Sequence, residues 1–131
     1  MAFIEWQDSM SVGHPAIDDD HRRLIRYVDE LYSAVTAGRC QDIVGGLLAE
    51  LVKDTQEHFE HEESVWKAGG YVDLDRHKQQ HADLLHTVGE FKAKYDQGTA
   101  LLTLDVINFM CEWLTHHILT SDKVAAAAIA R

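Results

Sequence analysis

The stretch TQEHFEHEESVW, residues 55–66, decides the fold, because it holds two acid/histidine pairs at helical spacing and only one of them can face a core. Side chains at i and i+4 stand one above the other on an α-helix. At about 100° per residue, His58 and Glu62 continue the apolar stripe of Val44, Leu47, Leu48, Leu51 and Thr55. Glu57 and His61 point well off that stripe. The first pair is expected inside and the second on the surface.

The same test carried outward along the chain repeats the pattern. His21 falls in line with Leu24, Ile25, Val28, Leu31, Tyr32 and Val35. His77 and His81 align with Leu74, Leu84, Leu85, Val88 and Tyr95, whereas His86 points away. Val106, Met110 and Trp113 put His117 near mid-stripe and leave His116 at its edge. Each of four helical stretches therefore delivers metal-type side chains inward. His14, His61, His86 and His116 are assigned to the surface or to supporting roles.

These stretches run over about 18–37, 41–66, 74–95 and 102–121, with breaks at Gly38, at Gly69-Gly70 and near Gly98. Gly45 and Gly46 weaken the start of the second. Short loops between amphipathic helices predict an all-α, up-down-up-down four-helix bundle. The chain is expected to form one domain, 1–131. Residues 1–17 are an ordered non-helical arm (Phe3, Trp6, Gly13, Pro15), 18–122 the bundle and 123–131 an Ala-rich tail. Asp18 or a neighbour is expected to cap the first helix.

Asp122 breaks the register. Five residues after His117, it would lie on the far side of a regular helix. For both to reach one site, the fourth helix must end, unwind or bulge between Ile118 and Asp122, and a single π-turn suffices.

Composition narrows the chemistry. With 22 acidic and 12 basic residues the formal charge is −10, which argues against nucleic acid or an anionic membrane as partner. Arg22, Arg23 and Arg26, the densest basic group, read as a solvated helix face. No apolar stretch is long enough to span a bilayer. MAFIEWQDSM shows no secretory signal, and Cys40 and Cys111 are isolated thiols, so a cytoplasmic protein is expected. Polar outer helix faces suggest a monomer.

One buried histidine is usually a satisfied core residue. Six such residues on four stripes are different, because burying them unpartnered would cost roughly 1–3 kcal/mol apiece. A metal removes that cost and couples its binding to folding. Imidazoles with carboxylates suit iron, zinc, copper or nickel, and a closed zinc site would more often use sulfur. If the metals are two octahedral irons and the carboxylates bridge, the five histidines, two carboxylates and one bridging oxide or hydroxide fill every position but one. Dioxygen is the natural occupant of such a position.

The chain resembles the hemerythrin family, specifically its single-domain bacterial members, over nearly its whole length. IEWQDSMSVGHPAIDDDH (4–21) is similar to the family's entry motif, with Trp6, Asp18 and His21. HFEHEE (58–63) is similar to H-F-x-x-E-E, HKQQH (77–81) matches H-x-x-x-H, and WLTHHILTSD (113–122) resembles W-L-x-x-H-I-x-x-x-D. The resemblance implies a non-haem di-iron centre, oxo- or hydroxo-bridged, with Glu62 and Asp122 spanning both irons. It gives His77, His81 and His117 to one iron and His21 and His58 to the other, whose open position takes dioxygen. Asp18, Leu24, Phe59, Trp66 and Trp113 are then candidates for supporting or pocket roles. Two departures stand out: Asp20 where the family often has Gln, expected to affect surface hydrogen bonding, and Trp66 where a Met is common, expected to reshape the pocket or simply to pack.

The function this implies is reversible dioxygen binding for storage, transport or delivery, not catalysis. The rivals are a di-iron redox enzyme, such as a peroxidase or nitric-oxide reductase, and a sensor or iron store acting through a partner. Ferritin-like enzymes use carboxylate-richer Glu-x-x-His sets, unlike these His-rich pairs spaced by four.

Overall fold

The computed structural model describes residues 4–130; residues 1–3 of the expected arm, Phe3 among them, and residue 131 of the expected tail lie outside the described residues. A 3-10 turn, Asp8–Met10, precedes α1 (Pro15–Thr36), α2 (Gln41–Ala68), α3 (Leu74–Asp96) and α4 (Leu104–His117). A π-helical turn, Ile118–Asp122, joins α4 to α5 (Lys123–Ile129). No strand occurs among the described residues, and none of their helices is long and apolar enough to cross a membrane. The architecture is the expected up-down-up-down four-helix bundle.

The start of α1 corrects the expected capping. His14, not Asp18, is the N-cap, and its Nδ1 accepts from the Ile17 N–H at 3.3 Å. Pro15 is preset for the first helical position, so the helix begins three residues earlier than expected. Asp18 lies inside the helix and turns back to the arm, accepting from the Ser11 hydroxyl (2.6 Å) and the Val12 N–H (2.8 Å). The arm is further held where the Arg22 guanidinium stacks over Trp6 at 4.5 Å.

α1 packs against α2 and α4, and α2 also packs against α3. Their stripes merge in a core that includes Leu24, Val28, Leu31, Leu48, Leu51, Ile107 and Leu114. Gly45 has a reason to be there. A Cβ on it would sit 3.2 Å from the Tyr95 ring, whose hydroxyl reaches across to donate to the Gln41 carbonyl at 2.9 Å.

A second, smaller cluster of Ile17, Trp66, Ala125 and Ala126 closes the other end. It exists because residues 123–129 are helical, where an Ala-rich tail was expected. Alanine is the strongest helix former, and this helix docks on the end of α2 so closely that a Cβ on Gly69 would lie 2.6 Å from Ile129. On each of α1, α2 and the α4–α5 segment, the histidines and carboxylates lie between residues of these two clusters.

Candidate metal centre

The structure brings all seven spaced side chains together. Glu62, His77, His81, His117 and Asp122 form one group, and His21, His58, Glu62 and Asp122 a second, each with its donor atoms within 4.8 Å of one another. All seven are buried, and Glu62 and Asp122 belong to both groups. Asp122 gets there because the last turn is π-helical, as its break in register required. The wider turn absorbs one extra residue and returns Asp122 to the side of His117. Thr120 takes up the loosened backbone by donating its hydroxyl to the His116 carbonyl at 2.6 Å.

Five imidazoles turn Nε2 inward. Glu62 Oε1 lies 2.8 Å from His77 Nε2 and 3.0 Å from His81 Nε2, and Glu62 Oε2 lies 2.9 Å from His58 Nε2. Asp122 comes within 3.0 Å of His21 and His77 and 3.1 Å of His117. Yet neither buried Asp122 oxygen receives a hydrogen bond, and His81 Nε2 faces His117 Nε2 at 3.1 Å. Facing nitrogens and orphaned carboxylate oxygens share one remedy, cations at the points where their lone pairs converge. The donor set fits two metal ions.

The outward nitrogens are held by carboxylates. His58 Nδ1 donates to Asp20 at 2.9 Å and His81 Nδ1 to Glu63 at 2.8 Å, an arrangement that fixes the tautomer and ring of a metal-ligating histidine. Asp20 also accepts from His61 (2.6 Å) and Arg23 (3.2 Å). Asp20, expected to affect surface hydrogen bonding, is itself buried and bonds both to His58 and to the more exposed His61 and Arg23. His61, the outlying member of the rejected pair, is half-exposed and caps it from outside. His21 Nδ1 has no partner.

Titration reflects this crowding. Burial opposes charge on His58, but the Asp20 and Glu62 hydrogen bonds outweigh it and push the imidazole up to about 9. Burial likewise opposes charge on His77, but the facing Asp122 and Glu62 carboxylates outweigh it and push the imidazole up to about 9. Burial raises the Glu62 and Asp122 carboxyls, Glu62 raises Asp122 further, and the surrounding imidazoles still hold both low.

An apolar cavity of about 40 Å³ adjoins the cluster, lined by Leu24, Thr55, Leu84 and Leu114 and by two aromatic rings. Phe59 stacks on His81 at 3.8 Å and Trp113 on His117 at 4.5 Å, so both rings stand between the cavity and the imidazoles. Leu24, Phe59 and Trp113, candidates for a pocket role, line this cavity. Trp66 does not: it is fully buried elsewhere, with its indole N–H 3.3 Å from His77 Nε2.

Comparison with known proteins settles the family. The model of the hemerythrin HHE cation binding domain matches residues 12–129. The chain belongs to the hemerythrin family. Its relatives include the bacteriohemerythrin of Stenotrophomonas maltophilia (strain R551-3), 30% identical over 96% of this chain and 81% of that one. The hemerythrin-family myohemerythrin-1 of Phascolopsis gouldii is 32% identical over 89% of this chain and 87% of its own. A crystal structure of wild-type hemerythrin superposes with a TM-score of 0.94 at 25% identity, covering 99% of this chain and 100% of that one.

Proposed function

We propose that this protein binds dioxygen reversibly at a non-haem di-iron centre, for storage, transport or delivery, and is not an enzyme. The carrying observation is the lopsided donor set beside an apolar cavity. His77, His81 and His117 would hold one iron and His21 and His58 the other, with Glu62 and Asp122 available to both. The iron held by two histidines would have fewer protein ligands and so room for a small molecule. When bound, two ferrous ions supply the electrons on which reversible dioxygen binding rests. Imidazole and carboxylate donors suit iron.

The chain's own residues do the rest. Asp20 and Glu63 orient His58 and His81. Leu24, Phe59 and Trp113 keep the approach apolar, which withholds the water and protons that would turn binding into irreversible oxidation. Glu62 and Asp122 remain ionised among the imidazoles. A monomer in the cytoplasm goes with this reading, and the free thiols of Cys40 and Cys111 suit a reducing compartment.

The test is optical. Protein reduced to the ferrous state and holding two irons per chain is cycled between air and argon. A visible charge-transfer band that grows in air and fades under argon over repeated cycles is the expected result. A single irreversible passage to ferric iron defeats the carrier reading, and sustained dioxygen consumption with a reductant makes the protein an enzyme instead.

A further inference from the structure

Trp66 is a buried polar group at the centre that dioxygen binding does not use. Its indole has a single N–H and no acceptor capacity. The side chain is fully buried in the apolar cluster it forms with Ile17, Ala125 and Ala126. The N–H is directed at His77 Nε2, 3.3 Å away. That same Nε2 faces Glu62 Oε1 at 2.8 Å and Asp122 Oδ1 at 3.0 Å, and is one of the donors that converge on a metal.

A nitrogen lone pair cannot serve a metal and an indole together. Once a metal takes it, the Trp66 N–H is a buried donor without an acceptor, a state that costs about 1–3 kcal/mol and that folded proteins avoid. Two carboxylate oxygens, Glu62 Oε1 and Asp122 Oδ1, stand within 3.0 Å of that nitrogen, and each would keep a free lone pair when it binds one metal. We propose that once a metal occupies His77 Nε2, Trp66 gives its N–H to a carboxylate beside it, Glu62 or Asp122, and so acts as a positioning residue that sets how strongly that carboxylate donates to the metal the three histidines would hold. A charge-assisted bond from a neutral donor draws electron density from the oxygen. The metal beside it becomes easier to keep reduced, which favours the ferrous state that dioxygen binding requires.

This inference rests on the di-metal reading, and the experiment separates the two. Protein with ¹⁵N-labelled tryptophan is loaded with zinc, which is diamagnetic and accepts imidazole and carboxylate ligands, and the bound metal is counted. Fewer than two metals per chain brings down the di-metal reading itself. With two bound, the Trp66 indole proton is expected to shift downfield on loading and to become slower to exchange with solvent. An upfield shift, an unmoved resonance or faster exchange overturns the proposal. Trp66→Phe keeps an aromatic ring and removes the N–H. Loaded with two irons, it is expected to show a more negative reduction potential than the parent protein. A packing role alone would lower the melting temperature and leave the potential where it was, and an unchanged potential likewise overturns the proposal. The zinc measurement needs no variant, so it stands even if Trp66→Phe fails to fold.

Discussion

Asp20 shows how much one carboxylate can do from outside a metal's reach. It accepts from His58, His61 and Arg23, and Arg23 in turn reaches Asp54 at 2.9 Å. Asp20→Asn keeps the shape but leaves a single oxygen for these donors and turns an N–H₂ toward one of them. His58 then loses its fixed tautomer, and metal affinity is expected to fall about 10–100-fold with helix content unchanged, the usual cost of losing such a support. Competition with a chelator measures it, and an undiminished affinity would show that the Asp20 bond does not orient the ligand. Asp20 was misjudged from the sequence for a physical reason. A helical wheel ranks a residue against its own helix's stripe and knows nothing of the neighbour that covers its flank. Glu63 was passed over in the same way, although it is the last acid of HFEHEE and reaches His81 from the side of α2. Six of the seven buried donors were legible because each lies on a stripe, and Asp122 from its place in the motif; what orients them depends on how the helices cross.

At the scale of elements, the π-turn is the most informative segment. A π-turn amounts to one residue inserted into an α-helix, so the helix beyond it keeps the phase of a chain one residue shorter. Deleting Thr120, which is exposed and whose hydroxyl serves only the loosened His116 carbonyl, should convert Ile118–Asp122 to regular α-helix. The aspartate then stands four residues after His117, on the same face, and α5 keeps its contact with Trp66. The deletion variant is expected to bind two metals with a melting temperature close to that of the parent. Deleting exposed Phe109 instead, inside regular α4, rotates His117 by about 100° relative to the residues before it and should abolish binding. Metal counting on both variants decides, and loss of metal from the Thr120 deletion would mean that the wider turn does more than restore phase. The sequence showed that Asp122 could not follow His117 on a regular helix, and that reasoning located the turn. It did not show α5, because a short alanine run carries no amphipathic pattern and is helical here by docking on Gly69 and Trp66. The ends of α1 and α4 also moved by a few residues, where caps at His14 and Thr103 outweighed periodicity.

Over the whole molecule, the buried donors tie metal, proton and folding equilibria together. Without metal, His58 and His77 are pushed up to about 9 from an ordinary 6.5, burial being overcome by their carboxylate partners. The folded chain thus holds these protons more tightly than the unfolded chain does. The resulting stability is fully present below about pH 6.5 and is lost as pH rises through about 9. Metal binding runs the other way, since the ions need unprotonated imidazoles and must displace those same protons. Their contribution to stability therefore grows across the window in which the metal-free protein weakens. Melting curves of the chelator-treated and metal-loaded forms, recorded from about pH 6 to about pH 8.5, should diverge: the metal-free midpoint falls while the gap between the forms widens. Parallel curves would show that the histidines are not the groups whose protons the metal displaces, and would remove the link between this buried cluster and metal-coupled folding.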